Sequence, residues 1–177
     1  MNLIKIIAQG FGIIGLVFTA YSFQEKNNKK FFIEQAFGGL MFFMNFILIG
    51  AIAAALFNLT NLVRGTLLSQ NDRKLWKLVL TEALYTVCFA FSVYLVWENP
   101  FQIFLSALPF ITLILMTWFM WKGNGKQIRY AQFSLSSPSW IIHNIFNFSL
   151  GALLCEVFCM LSVIISFIRY GKDGFEK

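Results

Sequence analysis

Two apolar stretches of 39 residues, 31–69 and 130–168, constrain this 177-residue chain more than any other feature. Each follows a basic loop, has a glycine near its middle (Gly50, Gly151) and an asparagine shortly before that glycine (Asn45, Asn144). One straight helix of that length would run roughly 58 Å at about 1.5 Å per residue. The hydrocarbon core of a bilayer is only about 30 Å thick. Each stretch is therefore expected to fold back as a two-helix hairpin.

The membrane is the only solvent that suits this composition. Charged residues make up 12% of the chain, hydrophobic residues 58% and aromatics 18%, whereas soluble domains carry about 25% charged residues. The net charge of +6 could suggest a nucleic-acid partner, but its placement argues otherwise. Twelve of the fourteen Lys and Arg fall in four clusters: Lys26, Lys29, Lys30; Arg73, Lys74, Lys77; Lys122, Lys126, Arg129; and Arg169, Lys172, Lys177. Basic loops between apolar spans report topology and meet anionic lipid headgroups. Membrane lipids are the expected partner and nucleic acid is not. Cys88, Cys155 and Cys159 all lie in apolar segments without C-x-x-C spacing, so they read as small buried hydrophobes, not as a disulfide or a metal site. The first apolar run, Ile6–Phe23, lacks a small-residue cleavage site and is expected to be retained as a span.

Seven spans are expected, at about 6–23, 31–49, 52–69, 76–97, 102–121, 130–148 and 150–169. Seven crossings put all four basic clusters on one face, and the positive-inside rule then predicts the N-terminus outside and the C-terminus in the cytoplasm. The sixth span is the most polar. Its serines and Pro138 predict a kink facing protein or a cavity, because freed backbone groups need partners inside a bilayer.

Spans one to three align with spans five to seven at an offset near 100, which sets Gln9 against Pro109, Lys30 against Arg129 and Asn45 against Asn144. Span four is left over. An odd linker makes the two triplets parallel repeats. The expected fold is thus all-α and membranous, a 3+1+3 arrangement with one repeat in 1–70, a linker helix in 71–98 and a second repeat in 99–177.

The residues also carry a resemblance. Gln9-Gly10-Phe11-Gly12, Gly50 with Asn61 and Arg64, Leu108-Pro109 with Thr117-Trp118, and above all Trp140-Ile141-Ile142-His143-Asn144 with Ser149, Gly151, Glu156 and Arg169 resemble the YgjV family of bacterial inner-membrane proteins. The resemblance covers nearly the whole chain and implies an inner-membrane location. The layout is similar to that of the SWEET and PQ-loop small transporters, which implies transport of sugar-like solutes. The paired Pro-Gln of that group is not present here as a unit; Gln9 stands in one half and Pro109 in the other.

Ionisable and amide groups within spans mark candidate function. His143 and Glu156 lie about six residues either side of the turn expected at Phe148–Ser149–Leu150. Antiparallel helices would bring them to equal depth, as a buried pair fixing the hairpin, a solute contact or a proton relay. Asn45 and Asn144 fall at matching depth, as solute ligands or as interhelical glue. Asn61 and Arg64 share a face of span three, as an inner gate or anion contact, or with Arg64 snorkelling to the interface. Trp118 and Trp140 lie inside spans, where an indole is either packing or a stacking wall. Pro109 and Pro138 are candidate hinges.

No Walker A loop, H-E-x-x-H or G-x-S-x-G motif is present, so no cofactor and no enzymatic activity are expected. The expected function is a facilitator of a small polar solute, sugar-like or nucleoside-like. Gln9, Asn45, Trp118, Trp140, His143, Asn144 and Glu156 are its expected lining, Asn61 and Arg64 its gate. The alternative is a membrane assembly protein whose buried polar groups are structural. Homo-oligomerisation is compatible with either.

Overall fold

The computed structural model describes residues 3–70, 72–146 and 150–171. Phe148 and Ser149 of the expected turn, together with Lys172 and Lys177, lie outside the described residues. The helices in chain order are α1 (Leu3–Ser22), α2 (Asn28–Leu48), α3 (Ile52–Leu68), α4 (Leu75–Leu95), α5 (Pro100–Lys122), α6 (Gly125–Ala131), α7 (Ser137–Phe146) and α8 (Leu150–Tyr170). A π-helical segment, Gln132–Ser136, joins α6 to α7. α1, α2, α4, α5 and most of α8 are long and apolar enough to cross a bilayer. α3 has 17 residues, which is about 26 Å at the α-helical rise and near the lower limit for a span.

Local chemistry sets the ends. Asn27 caps α2 by accepting from the Lys29 and Lys30 amides at 2.9 and 3.3 Å. Asn99 caps α5 ahead of Pro100, where the missing N–H costs nothing. Gly123 ends α5 in the left-handed region (φ 68°) and Asn124 caps α6 directly after it. Gly50 (φ 80°) turns the first hairpin, as its place in the 31–69 stretch suggested. Gly151 is not its counterpart, since it falls within α8.

The expected sixth span is not one helix. Pro138 is the second residue of α7 and has no N–H to donate, while its ring crowds the preceding turn. The backbone widens before it, and the Ser137 amide donates to the Gln132 carbonyl five residues back. Single π-turns of this kind are frequent at functional positions.

α2 packs against both α1 and α3, and α7 against both α5 and α8. Across the molecule α1 meets α8 and α3 meets α5, while α4 touches α3 and α5. The α2–α3 contact is close because it is made at glycines. A Cβ on Gly39 would stand 3.0 Å from the Asn58 carbonyl oxygen, and one on Gly65 would stand 2.7 Å from that of Phe32. The main core cluster gathers Phe23, Phe31, Phe32, Phe46, Met116 and Val163, with Cys155 and Cys159 buried among them as free thiols. Val87, Phe104 and Ile168 are among many large apolar side chains on the outside, the surface that acyl chains would cover.

The basic loops meet at one end of the bundle. Arg129 donates to the carbonyls of Phe23 and Glu25, and Asn28 Nδ2 to that of Gly123 at 3.1 Å. Trp121 Nε1 reaches the Lys74 carbonyl at 3.3 Å, and Lys26 lies over the Tyr170 ring. Lys77, fully buried, donates to the Leu67 carbonyl, to Gln70 and to Asp72. A cation there complements the C-terminal end of α3.

Candidate functional site

A cavity of about 80 Å³ lies at the centre, walled by α2, α3, α5, the π-segment, α7 and α8. α1 contributes Thr19. Its polar lining is Thr19, Gln35, Asn58, Asn61, Arg64, Gln132, Ser136, Asn144 and Glu156, with Trp140, Phe42 and Phe46 among the apolar wall. An apolar void stays dry, but a void with this many donors and acceptors holds water or a solute.

On one wall, Arg64 is 4% exposed and cannot reach the interface. The snorkelling alternative therefore fails, since α3 turns this side chain inward. Its Nη1 donates to Thr117 Oγ1 at 3.4 Å, and its guanidinium lies 5.8 Å from the centre of the Tyr85 ring. Tyr85 on α4 in turn donates to Asn61 Oδ1 at 2.5 Å, and Asn61 Nδ2 lies 3.4 Å from Asn58 Oδ1. Asn61 and Arg64 are thus brought together, as their spacing on one helix face required.

On the other wall stand Glu156, Asn144 and Trp140. Glu156 Oε2 accepts from Ser137 at 2.7 Å and from Gln132 Nε2 at 3.5 Å. The expected pairing with His143 is replaced by these bonds. α7 ends at Phe146, and its register against α8 sets Glu156 beside Ser137, about 9 Å along the helix from His143. The half-buried imidazole is instead beside Asn144 Oδ1 (Nδ1 at 3.3 Å) and edge-on to Trp140. Trp140 packs edge-to-face with Phe57 on α3.

His143 is not part of the cavity lining, and three more expected lining residues lie elsewhere. Gln9 is on the exposed face of α1, a helix that packs on the bundle along one side. Asn45 is buried but donates to the Ala8 carbonyl at 2.6 Å and stands against Gly12, which makes it the bond between α1 and α2. Trp118 is 42% exposed, tilted against Trp121 with Lys122 over its ring. It lies on an outer face in the last turns of α5. Pro109 is buried in α5, its carbonyl accepting from Thr112, and Pro138 follows the π-segment.

Gln35, Gln132 and Thr19 line the cavity without having been singled out, and Ser136 lines it as one of the serines expected to face protein or a cavity. Gln132 and Ser136 carried a signal, as polar residues in an apolar stretch just before a proline. Gln35 and Thr19 carried none, because nothing local tells an inward helix face from a lipid-facing one when both are largely apolar.

A profile of a family described as bacterial inner membrane protein, Imp-YgjV, matches residues 6–173. The inner membrane protein YgjV of Escherichia coli (strain K12) is 24% identical over 166 residues, covering 94% of this chain and 85% of that protein. No solved structure matches. A match over nearly the whole length, on a bundle of apolar helices, makes this chain a multi-pass protein of the bacterial inner membrane and a member of the YgjV family.

Proposed function

We propose that this protein is a facilitator that moves a small polar solute across the inner membrane by alternating access. The observation that carries the reading is the central polar cavity, whose walls come from both α1–α3 and α5–α8. Sites at the interface of two repeats are characteristic of such transporters. The exchange of contacts supports a repeat: the first helix of each triplet, α1 or α5, meets the last of the other, α8 or α3. In that arrangement α4 is the linker. With the basic loops on the cytoplasmic side, the N-terminus is outside and the C-terminus inside.

Rocking of the two triplets would open the cavity to each side in turn, with the π-segment and Pro109 as its points of bending. The reading is of transport without chemistry.

The test is uptake into proteoliposomes over a panel of labelled sugars, nucleosides and amino acids. Uptake above empty vesicles that is lost in Asn144→Leu is expected. A panel with no solute above that background would favour the rival reading, an assembly protein. The Asn45–Ala8 bond and the outward Gln9 are the observations on that side.

A further inference from the structure

Arg64 and Arg129 are both buried, 4% and 3% exposed, but their surroundings differ. Arg129 donates to three backbone carbonyls: Phe23, Glu25 and Gly125. Arg64 has one long hydrogen bond, to a threonine hydroxyl, and the Tyr85 ring 5.8 Å away, and it lines the cavity. A guanidinium carries five N–H donors in a planar fork and stays protonated in a protein. A buried charge of that kind requires an anion or a dense set of acceptors. Among the described residues the ion pairs are those of Asp72 with Lys74 and Lys77, so no carboxylate is in contact with Arg64.

One carboxylate does face the same space. Glu156 lines the cavity from α8, with Oε2 held by Ser137 and Gln132. The cavity therefore has a cationic wall and an acidic wall that do not touch. Asn61 and Asn58 flank the first. Trp140 stands on the second wall with Glu156, and the face of an indole attracts cations. The volume, about 80 Å³, admits several waters or a solute with a handful of heavy atoms.

We propose that the cavity binds a small zwitterion of the glycine or alanine class, its carboxylate on the Arg64 fork and its ammonium toward Glu156. A bidentate guanidinium–carboxylate pair is the geometry Arg favours, and one molecule satisfies both walls. This deepens the transport reading and takes its purpose from it, but the binding can be measured by itself.

The experiment is equilibrium calorimetry on the purified full-length protein in nanodiscs, titrated with alanine, acetate, methylamine and glucose at neutral pH. Alanine is expected to bind at least about tenfold tighter than acetate or methylamine, each of which meets one wall only. Arg64→Lys, which keeps the charge and loses the fork, is expected to weaken alanine by about tenfold. Glu156→Gln is expected to bring alanine down to the affinity of acetate. Acetate binding as tightly as alanine, glucose competing with alanine, or both variants binding alanine as the unmodified protein does would each overturn the proposal. If Arg64→Lys does not fold, the alanine-to-acetate ratio in Glu156→Gln decides alone. Uptake of labelled alanine and glucose into proteoliposomes separates the two readings. Arg64-dependent alanine binding with no uptake of either solute would end the transport reading and leave the site standing. Glucose uptake without alanine binding would do the reverse.

Discussion

Asparagine has two roles in this molecule, and they are separated by what lies opposite. Asn144 on α7 faces the cavity, whereas Asn45, its partner by sequence position, donates to Ala8 across a contact made close by Gly12. Asn45→Leu should therefore lower stability while leaving solute affinity unchanged. Interhelical bonds in membranes average about 0.6 kcal/mol, with a maximum near 1.7, and this one is short and buried. A loss of about 1 kcal/mol in reversible unfolding from mixed micelles, with unaltered binding, is the expected outcome. The sequence placed both side chains inside the membrane but could not assign their roles, because each role depends on the backbone of another helix. The same limit applies to Gln9 and Trp118, which are polar or amphipathic residues on outer faces. It also applies to Glu156, whose register against α7 pairs it with Ser137 and not His143.

At the scale of elements, close approach and interruption are set by single residues. Gly65 lets α3 lie on Phe32 and Ala36 of α2, where a methyl group would come within 2.7 Å of a backbone oxygen and of another Cβ. Gly65→Ala must push the two helices apart, at a cost of about 1–3 kcal/mol, readable as a lower melting temperature. The π-segment answers to Pro138. Pro138→Ala restores the N–H and removes the ring clash, so Gln132–Ser136 should tighten toward α-helix. Slower amide exchange across 132–136 would report the change, and exchange as fast as in the unmodified protein would show that the proline is not its cause. The α3–α4 connection has a pH dependence. The hydrogen bond from Lys77 holds the Asp72 carboxyl below its ordinary value. A carboxyl whose pKa is lowered on folding stabilises fully at pH above its unfolded value and loses that contribution as pH falls through the folded one. The connection should loosen only below about pH 4, seen as exchange at 72–77 rising on acidification and already at its acid level in Asp72→Asn at neutral pH.

The whole molecule is held across its two halves by few but specific contacts. Gln24 Nε2 donates to the Ser162 carbonyl at 2.6 Å and to its hydroxyl at 2.9 Å, and that hydroxyl donates to the Ala20 carbonyl. Arg129 ties the α5–α6 region to the end of α1. Its charged donors are worth about 1.5–3 kcal/mol each, so Arg129→Gln should cost about 3 kcal/mol and lower the melting temperature by several degrees. Melting unchanged would remove this strap from the account. Arg129 lay in a basic cluster of the sequence, where it read as one more topological charge. Its burial follows from the folding of the α1–α2 loop onto α6, a contact between residues more than a hundred positions apart.

The membrane class, the fold-back at Gly50 and the gathering of basic loops at one end follow from the sequence itself. Each depends on local composition and on chain length set against bilayer thickness. Which polar groups face one another was decided only in three dimensions. In a bilayer hydrophobicity no longer separates inside from outside, because lipid and protein interior are equally apolar, so helix rotation and register are fixed by packing alone. That packing turned Arg64 inward, drew Glu156 away from His143 and enclosed a cavity that no single segment announces.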